Sequence, residues 1–383
     1  MRRIRWVFVS FCLLSTLALA GCFSESGSHD AGRTDGQDGS SDQDEDPNLC
    51  GGLPCAGSED CVAGVCVRRP DQTAQACEED EQHEYHCHGA ADLSCHNAAA
   101  CSQDGDCPSD ASGTQLVCRQ GFCGVPAPQG PETVTFRGCV DAFGIGDVTY
   151  PMRVAIYRAG QDPTGTSGWD AETTEVDTSV CEYMGAFEFE NVPTNTPLVV
   201  KTYDPDENFI TTYKYNVVLL ADLARDEGGS WVFDTRGTVA DPRSGQDISL
   251  EPWRGYAISN TTYMVILMAL GITELPPSQG ALAGTVRDCA YSEMQHVSCG
   301  VVDKPEELTY FNNSENPRPD DSRHATNVNG LYAAVGLEEG KTHTLACLAR
   351  DDSGAQVPLG AYEFEVFGGG VTIISFDWYP AVD

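Results

Sequence analysis

The sequence has few basic residues. It contains 22 lysines and arginines against 58 aspartates and glutamates, which gives a formal net charge of -36. Binding to nucleic acid or to anionic lipid needs clusters of Lys and Arg that neutralise phosphates, and none follows the first five residues. The composition argues against a nucleic-acid-binding protein. It is typical of a surface that stays soluble beside a membrane.

The common catalytic motifs are also absent. The chain has no G-x-S-x-G nucleophile elbow, no G-x-x-x-x-G-K-[ST] phosphate loop, no G-x-G-x-x-G opening a helix and no H-E-x-x-H zinc helix. Neighbouring acids such as Asp320-Asp321 and Asp351-Asp352 lie in polar, turn-like sequence, where solvated carboxylates are the usual arrangement. We therefore expect a protein that is not an enzyme and needs no cofactor.

Long hydrophobic runs are missing as well. The apolar run from Trp6 to Ala18 is too short for a stable membrane span, and it follows Arg2, Arg3 and Arg5. A basic start followed by a short apolar run predicts a secretory signal peptide.

The signal sequence ends in Leu19-Ala20-Gly21-Cys22, which resembles the lipobox of bacterial lipoproteins. The resemblance implies cleavage before Cys22, removal of residues 1–21, and attachment of lipid (palmitate among the acyl chains) to the Cys22 thiol. Phe23 stands where that family carries an inner-membrane retention Asp, so we expect the outer membrane, at its cell-surface or periplasmic side. The acyl chains would hold the protein to the membrane without a transmembrane helix.

Cysteine is abundant, with 18 residues. Cys12 belongs to the signal peptide and Cys22 to the lipid anchor. The remaining even number predicts a disulfide framework in an exported protein. The disulfide candidates are Cys50, Cys55, Cys61, Cys66, Cys77, Cys87, Cys95, Cys101, Cys107, Cys118, Cys123, Cys139, Cys181, Cys289, Cys299 and Cys347.

Residues 22–49 are rich in Gly, Ser and Asp and predict a disordered acidic tether. Residues 50–124, the cysteine-rich module, hold few large apolar residues and so require covalent cross-links. The ends of this module repeat each other, because CVAGVC at 61–66 and CRQGFC at 118–123 share the pattern C-x2-G-x-C. We expect two four-cysteine knots, each with three open connectivities, and a positive φ at the shared glycine.

The middle of the module carries His83, His86, His88 and His96 among acids and cysteines. Imidazole and carboxylate are good metal ligands, so a metal-binding or redox role is one alternative. The segment has no C-x-x-C pair and its His-Glu-Tyr-His order fails the H-E-x-x-H spacing, so exposed histidines on a disulfide-tied helix are the favoured interpretation.

After the Pro-rich joint at 125–131, apolar and polar residues alternate with period two, broken by Gly, Pro and Asn turns. The pattern occurs twice, in the first β region (133–255) and the second β region (276–383). Gly185 and Gly330 take equivalent places before a strand, and Val192 and Leu337 before its turn. The repeat resembles the carboxypeptidase regulatory-like, or transthyretin-like, family. It implies two tandem antiparallel β-sandwiches with no catalytic residues.

Residues 256–275 join the two β regions and read as one short helix, with Asn260 or Thr261 as N-cap. The apolar stretch is too short to span a bilayer, so we expect a packed connector.

The cysteine count adds one constraint. The module has eleven cysteines, the first β region two (Cys139, Cys181) and the second three (Cys289, Cys299, Cys347). Two odd counts cannot both close internally, so either one disulfide joins the module to a β region or two thiols stay free.

The sequence thus predicts a mainly β, lipid-anchored outer-membrane protein that makes structural or adhesive contacts with an envelope protein or glycan. The alternatives are a metal-binding or redox lipoprotein and an accessory subunit of an envelope complex.

Overall fold

The computed structural model describes residues 49–50, 53–79, 84–93, 101, 103–107, 109, 115–119, 122–124, 126, 129–143, 152–173, 185–234, 237–240, 247–250, 253–290, 292–302, 308–312, 318–320 and 322–376. The signal peptide, Cys22 and residues 23–48 of the predicted tether lie outside these residues, while Leu49, the last residue assigned to the tether, lies in a strand. Within them the fold is mainly β with one α-helix, as the sequence predicts. No helix among the described residues is long and apolar enough to cross a membrane.

The cysteine-rich module is built from short hairpins. Its strands are β1 (Leu49–Cys50), β2 (Leu53–Pro54), β3 (Glu59–Val62), β4 (Val65–Arg68), β5 (Gln75–Glu79), β6 (Tyr85–Ala90), β7 (Val117–Arg119) and β8 (Phe122–Gly124), with a 3-10 turn at Asp104–Asp106. The turn between β3 and β4 has φ of 48° at Ala63 and 80° at Gly64, which confirms the predicted positive φ at this glycine. Antiparallel pairs with tight turns bring the cysteines within bonding range.

The first β region contains twelve strands among the described residues. They are β9 (Thr133–Phe143), β10 (Arg153–Arg158), β11 (Trp169–Glu172), β12 (Ala186–Pro193), β13 (Pro197–Tyr203), β14 (Phe209–Ile210), β15 (Thr212–Val218), β16 (Arg225–Asp226), β17 (Trp231–Phe233), β18 (Gly237–Ala240), β19 (Asp247–Leu250) and β20 (Arg254–Ser259), with a 3-10 turn at Ala221–Leu223. Alternation sets the core: Phe187 and Phe189 of β12 are buried and Glu188 is exposed.

Helix α1 (Asn260–Ala269) follows β20 directly. Its N-cap is Ser259, whose Oγ accepts a hydrogen bond from the backbone N–H of Thr262 at 3.1 Å. The predicted N-cap, Asn260 or Thr261, is therefore wrong by one or two positions. Strand β20 runs to Ser259, which makes Ser259 the last extended residue and gives it the capping geometry.

The second β region contains eight strands among the described residues. Its strands are β21 (Gln279–Thr285), β22 (Glu293–Gln295), β23 (Ser298–Val301), β24 (Thr309–Tyr310), β25 (Leu331–Glu338), β26 (Thr342–Arg350), β27 (Gln356–Glu365) and β28 (Val371–Ile373). Gly185 immediately precedes β12 and Gly330 precedes β25, and Val192 and Leu337 within those strands are both fully buried. These positions are equivalent, as the sequence repeat predicts.

The two β regions share one eight-stranded sheet in the order β11-β10-β13-β15-β28-β21-β25-β24. A second sheet, β14-β20-β9-β17-β16 with β12 also on β9, encloses the core of the first region against it, and β23-β26-β27 does so in the second. This arrangement is consistent with the β-sandwich class.

The prediction of purely antiparallel sheets is wrong. Strand β28 pairs in parallel with both β15 and β21, and β9 pairs in parallel with both β17 and β20. These partners are far apart in sequence or separated by other strands, so no tight hairpin forces them to run antiparallel. Helix α1 covers strands β21 and β28 in the middle of the shared sheet. Its Tyr263 and Leu267 pack on Ala281, Val371 and Ile373.

The module packs on the second β region, although it precedes the first along the chain. Strand β22 pairs with β5, and Val62, Val65 and Val67 pack against Ala346, Leu348 and Ala361. A Cβ on Gly300 would lie 2.8 Å from the carbonyl oxygen of Cys66, so glycine allows the backbones to approach closely. Residues Asp46–Asp383 cluster as one compact unit.

Candidate contact face of the large sheet

One side of the eight-stranded sheet, away from the core of the first β region, gathers polar and aromatic side chains. On β13, Leu198 and Val200 point into the core, so Lys201 and Tyr203 point outward. Register places Lys201 between Ala155 and Tyr213, and Tyr203 opposite Arg153. We call this surface the tyrosine–lysine face; its members are Arg153, Tyr157, Asp170, Lys201, Tyr203 and Tyr213.

A closed polar triangle lies at one end of the tyrosine–lysine face. The Arg153 guanidinium donates through Nε to Oη of Tyr203 at 2.9 Å and through Nη2 to Oδ1 of Asp170 at 2.5 Å. The Tyr203 hydroxyl donates to Oδ2 of Asp170 at 3.1 Å. The Arg153 and Asp170 side chains keep 32% and 34% of their surface exposed. These groups are held in place by one another yet remain open to a partner.

Lys201 occupies the centre of the face. Its Nζ lies 5.0 Å from the ring centroid of Tyr203 and 5.5 Å from that of Tyr213, and it donates to the carbonyl oxygen of Pro163 at 3.3 Å. Burial lowers the pKa of the Lys201 ammonium, while the charges of Asp170 and Asp162 act in the opposite direction. The face therefore holds a partly desolvated cation between two aromatic rings.

Two buried tyrosines form the floor of the face. The Tyr157 hydroxyl donates to the carbonyl oxygen of Gly165 at 3.4 Å, so the loop between β10 and β11 covers its ring. Burial raises the pKa of Tyr213 to about 12, and the Tyr213 ring stacks on Phe367 of the second β region at 4.1 Å. Both phenols remain neutral at physiological pH and act as rigid apolar support.

Chemically, the tyrosine–lysine face suits contact. It offers tyrosine rings and an arginine, which are residue types enriched in protein interfaces, together with a lysine and an aspartate. Sequence reasoning missed this face. The outward residues of VVKTY at 199–203 and TYKY at 212–215 show the alternation that could have found it.

The predicted cysteines are mostly paired within the described residues. The module forms Cys50–Cys61, Cys55–Cys66, Cys77–Cys87, Cys101–Cys118 and Cys107–Cys123, and the second β region forms Cys299–Cys347. Both four-cysteine knots join the first cysteine to the third and the second to the fourth. Cys139 and Cys289 are also disulfide-bonded. Cys22, Cys95 and Cys181 lie outside the described residues.

The two described histidines of this segment, His86 and His88, lie on a strand rather than on the helix favoured by the sequence interpretation. His86 and His88 alternate along β6, so they share one face, and both are exposed. His88 Nε2 lies 3.7 Å from Oε2 of Glu78 on the paired strand. His83 and His96 lie outside the described residues.

A metal centre needs several ligand atoms close to one another. Within the described residues, groups of three or more ligand atoms lying within 4.8 Å of one another occur only as two cysteine sets, Cys50, Cys55 and Cys66, and Cys101, Cys107 and Cys123. All six are in disulfides, which do not ligate metal as thiolates. No third described ligand joins His88 and Glu78 at that distance.

No protein-family model matches the chain, and no curated protein matches it.

Proposed function

We propose that the protein is a non-enzymatic, lipid-anchored protein of the bacterial outer membrane that makes structural or adhesive contacts with an envelope protein or glycan. The lipid on Cys22 would hold it to the membrane, and residues 22–49 would set its reach. The tyrosine–lysine face would be the contact surface. The alternating aromatic, cationic and acidic side chains of that face support this proposal.

We also propose that the two β regions are transthyretin-like repeats. Support comes from equivalent turns as well as equivalent strands. Asp204 follows β13 and accepts the backbone N–H of Asn208 at 2.9 Å, and Asp351 follows β26 and accepts that of Ala355 at 2.8 Å. In both repeats the same kind of carboxylate-capped turn leads into the next strand.

The observation that carries the contact function is the position of Lys201. Its amine is held by two rings and one carbonyl oxygen, so little side-chain entropy remains to be lost when a partner binds. Tyrosine and arginine, which are enriched in binding hot spots, surround this partly desolvated cation, and one truncation in a hot spot costs roughly 2 kcal/mol or more.

A matched pair of lysine variants tests this function. The purified full-length mature protein, kept in detergent by its anchor, is passed over immobilised envelope polysaccharide and over immobilised outer-membrane proteins. We expect Lys201→Gln to weaken retention on one of the two surfaces about tenfold or more. Lys341→Gln, which removes an exposed lysine paired with Glu338, should change it less than about twofold.

Retention on protein alone would identify an accessory subunit, and retention on polysaccharide an adhesin. Equal loss, or no loss, with both variants would refute the tyrosine–lysine face as the contact surface.

The lipid anchor has its own test. Cells expressing the protein are fed radiolabelled palmitate. Label should enter the wild type and the Cys12→Ser variant, whose changed cysteine lies in the signal peptide, and should be lost in Cys22→Ser. Label that persists in Cys22→Ser would refute the anchor.

A second candidate function is transition-metal binding. The observation in its favour is the side-by-side placement of His86 and His88 on one face of β6, with Glu78 opposite them. Metal content after purification tests it. Stoichiometric zinc, copper or iron that disappears in the His86→Ala, His88→Ala double variant, but stays in His343→Ala, would favour this function. Protein that purifies without metal would rule out metal binding as the function.

A further inference from the structure

We propose that Cys77–Cys87 is a thiol–disulfide exchange site, at which an external dithiol reduces this bond ahead of the other disulfides described here. The two cysteines stand directly opposite each other on β5 and β6. A disulfide between facing residues of two paired strands adds no long-range cross-link, because backbone hydrogen bonds already hold these strands together.

Backbone spacing distinguishes this pair from the rest of the module. The Cα atoms of Cys77 and Cys87 are 3.9 Å apart, whereas the other module pairs lie at 5.4, 5.4, 5.7 and 5.3 Å. Disulfides normally join Cα atoms separated by about 4.4 to 6.8 Å, and bonds outside that range are more easily reduced. The ladder is also irregular here, with a register shift between Ala76 and Cys77.

Access is one-sided. Cys87 is exposed, whereas Cys77, on the strand between β22 and β6, is fully buried. The Sγ atom of Cys87 lies 3.4 Å from Oε1 of Gln295, a side chain of β22 in the second β region. An incoming thiolate can therefore reach Cys87 and not Cys77.

The exchange proceeds in two balanced steps. A thiolate of the dithiol attacks Sγ of Cys87, a new sulfur–sulfur bond forms, the Cys77–Cys87 bond breaks, and the electron pair leaves on Sγ of Cys77, which takes a proton. The second thiol of the same dithiol then attacks its partner sulfur and expels Cys87. The dithiol loses two electrons and two protons, and the cysteines gain them.

The first step reverses with a monothiol. After the attack, Cys77 still lies opposite the mixed disulfide at high effective concentration and expels the monothiol again. A dithiol completes the reaction with its own second thiol, whereas a monothiol needs a second molecule to attack before Cys77 expels the first. Reduction then frees β6, which carries His86 and His88, from its covalent tie, while β5 stays hydrogen-bonded to β22.

The experiment uses the native full-length mature protein and two internal controls. Cys299–Cys347 has a similar Cα spacing of 4.0 Å but both residues are buried. Cys50–Cys61 has an exposed member, Cys61, but an ordinary Cα spacing of 5.4 Å. The protein is titrated with dithiothreitol, alkylated, and each cysteine is quantified by peptide mapping.

We expect Cys77 and Cys87 to be half-alkylated at a dithiothreitol concentration about tenfold below that for either control pair. Glutathione at the same thiol concentration should leave the bond closed. In guanidinium chloride, the three disulfides should be reduced at similar dithiothreitol concentrations, so that the order of reduction vanishes. The proposal fails if either control pair is reduced at the same concentration, if glutathione reduces the bond equally, or if the order survives denaturation.

Discussion

The rings of Tyr213 and Phe367 stack with centroids 4.1 Å apart and an interplanar angle of 34°, although the two residues belong to different β regions. The contact follows from the parallel pairing of β15 with β28, which aligns Thr212 with Val371 and brings the end of β27 beside the tyrosine–lysine face. The face is therefore supported from both β regions, so its geometry depends on the shared sheet.

Truncation of Phe367 tests this support. Phe367 is 8% exposed, so Phe367→Ala should lower the free energy of unfolding by about 3 kcal/mol. Met268→Ala, which shortens a side chain that is 58% exposed, should change it by less than about 0.5 kcal/mol. Urea unfolding with disulfides intact measures both. A cost for Phe367→Ala below about 1 kcal/mol would show that the stack contributes little.

Docking of the module on the second β region gives a second prediction. Val67 is fully buried against residues of β26 and β27, so Val67→Ala should cost about 2 kcal/mol in free energy of unfolding. It should also increase the rate of proteolysis within the module. The neighbouring Arg68→Ala, at an exposed position, serves as control. Equal stability of the two variants would argue against a packed interface.

The burial of Tyr310 predicts that the free energy of unfolding depends on pH. Its Oη accepts the backbone N–H of Cys299 at 2.9 Å, so Tyr310→Phe leaves that buried donor unpaired, at a cost of about 1 to 3 kcal/mol. Burial raises the pKa of Tyr310 to about 12. The folded state thus keeps a proton that the unfolded chain releases above about pH 10. The stabilisation is complete below about pH 10 and is lost as the pH rises toward the folded-state pKa.

The stability difference between wild type and Tyr310→Phe should therefore shrink between about pH 10 and pH 12. Tyr263→Phe is the control, because the Tyr263 hydroxyl is buried with no hydrogen-bond partner among the described residues. Its loss should be neutral or slightly stabilising. A Tyr310→Phe cost that is independent of pH would contradict the raised pKa of the buried Tyr310 hydroxyl.

The cysteine count predicts a cross-link. Ten of the eleven module cysteines pair within the module, and Cys299 pairs with Cys347. Cys289 donates its backbone N–H to the carbonyl oxygen of Asp92 at 2.9 Å, which places it beside the module. Non-reducing peptide mapping should recover a peptide joining Cys289 to the remaining module cysteine, Cys95. Recovery of Cys289 joined to Cys181 would contradict this prediction.

Local features of the fold were predictable because they depend on short-range patterns. The alternation at the start of β12, the glycines at 185 and 330, and the connector helix can all be read within a few residues. The C-x2-G-x-C hairpins predicted four-cysteine knots, but the connectivity needed the strand register.

Long-range features were not predictable from the pattern. Strand β28 is three residues of a Val–Ile run that would suit many sheets, and only the packing of both β regions places it between β15 and β21. Strand β22, Glu293–Gln295, is equally short, so its pairing with β5 left no sequence signal. The tyrosine–lysine face depends on the order of the strands in the eight-stranded sheet and on the register between them.

Site-specific photocrosslinking in intact cells tests the contact function most directly. A benzophenone amino acid replaces Tyr203 on the tyrosine–lysine face, or Lys341 as the exposed control, in the otherwise unchanged full-length protein. The account predicts a discrete adduct of higher mass at position 203, to a protein or a glycan, and none at position 341. No adduct at position 203, or the same adducts at both positions, would contradict it.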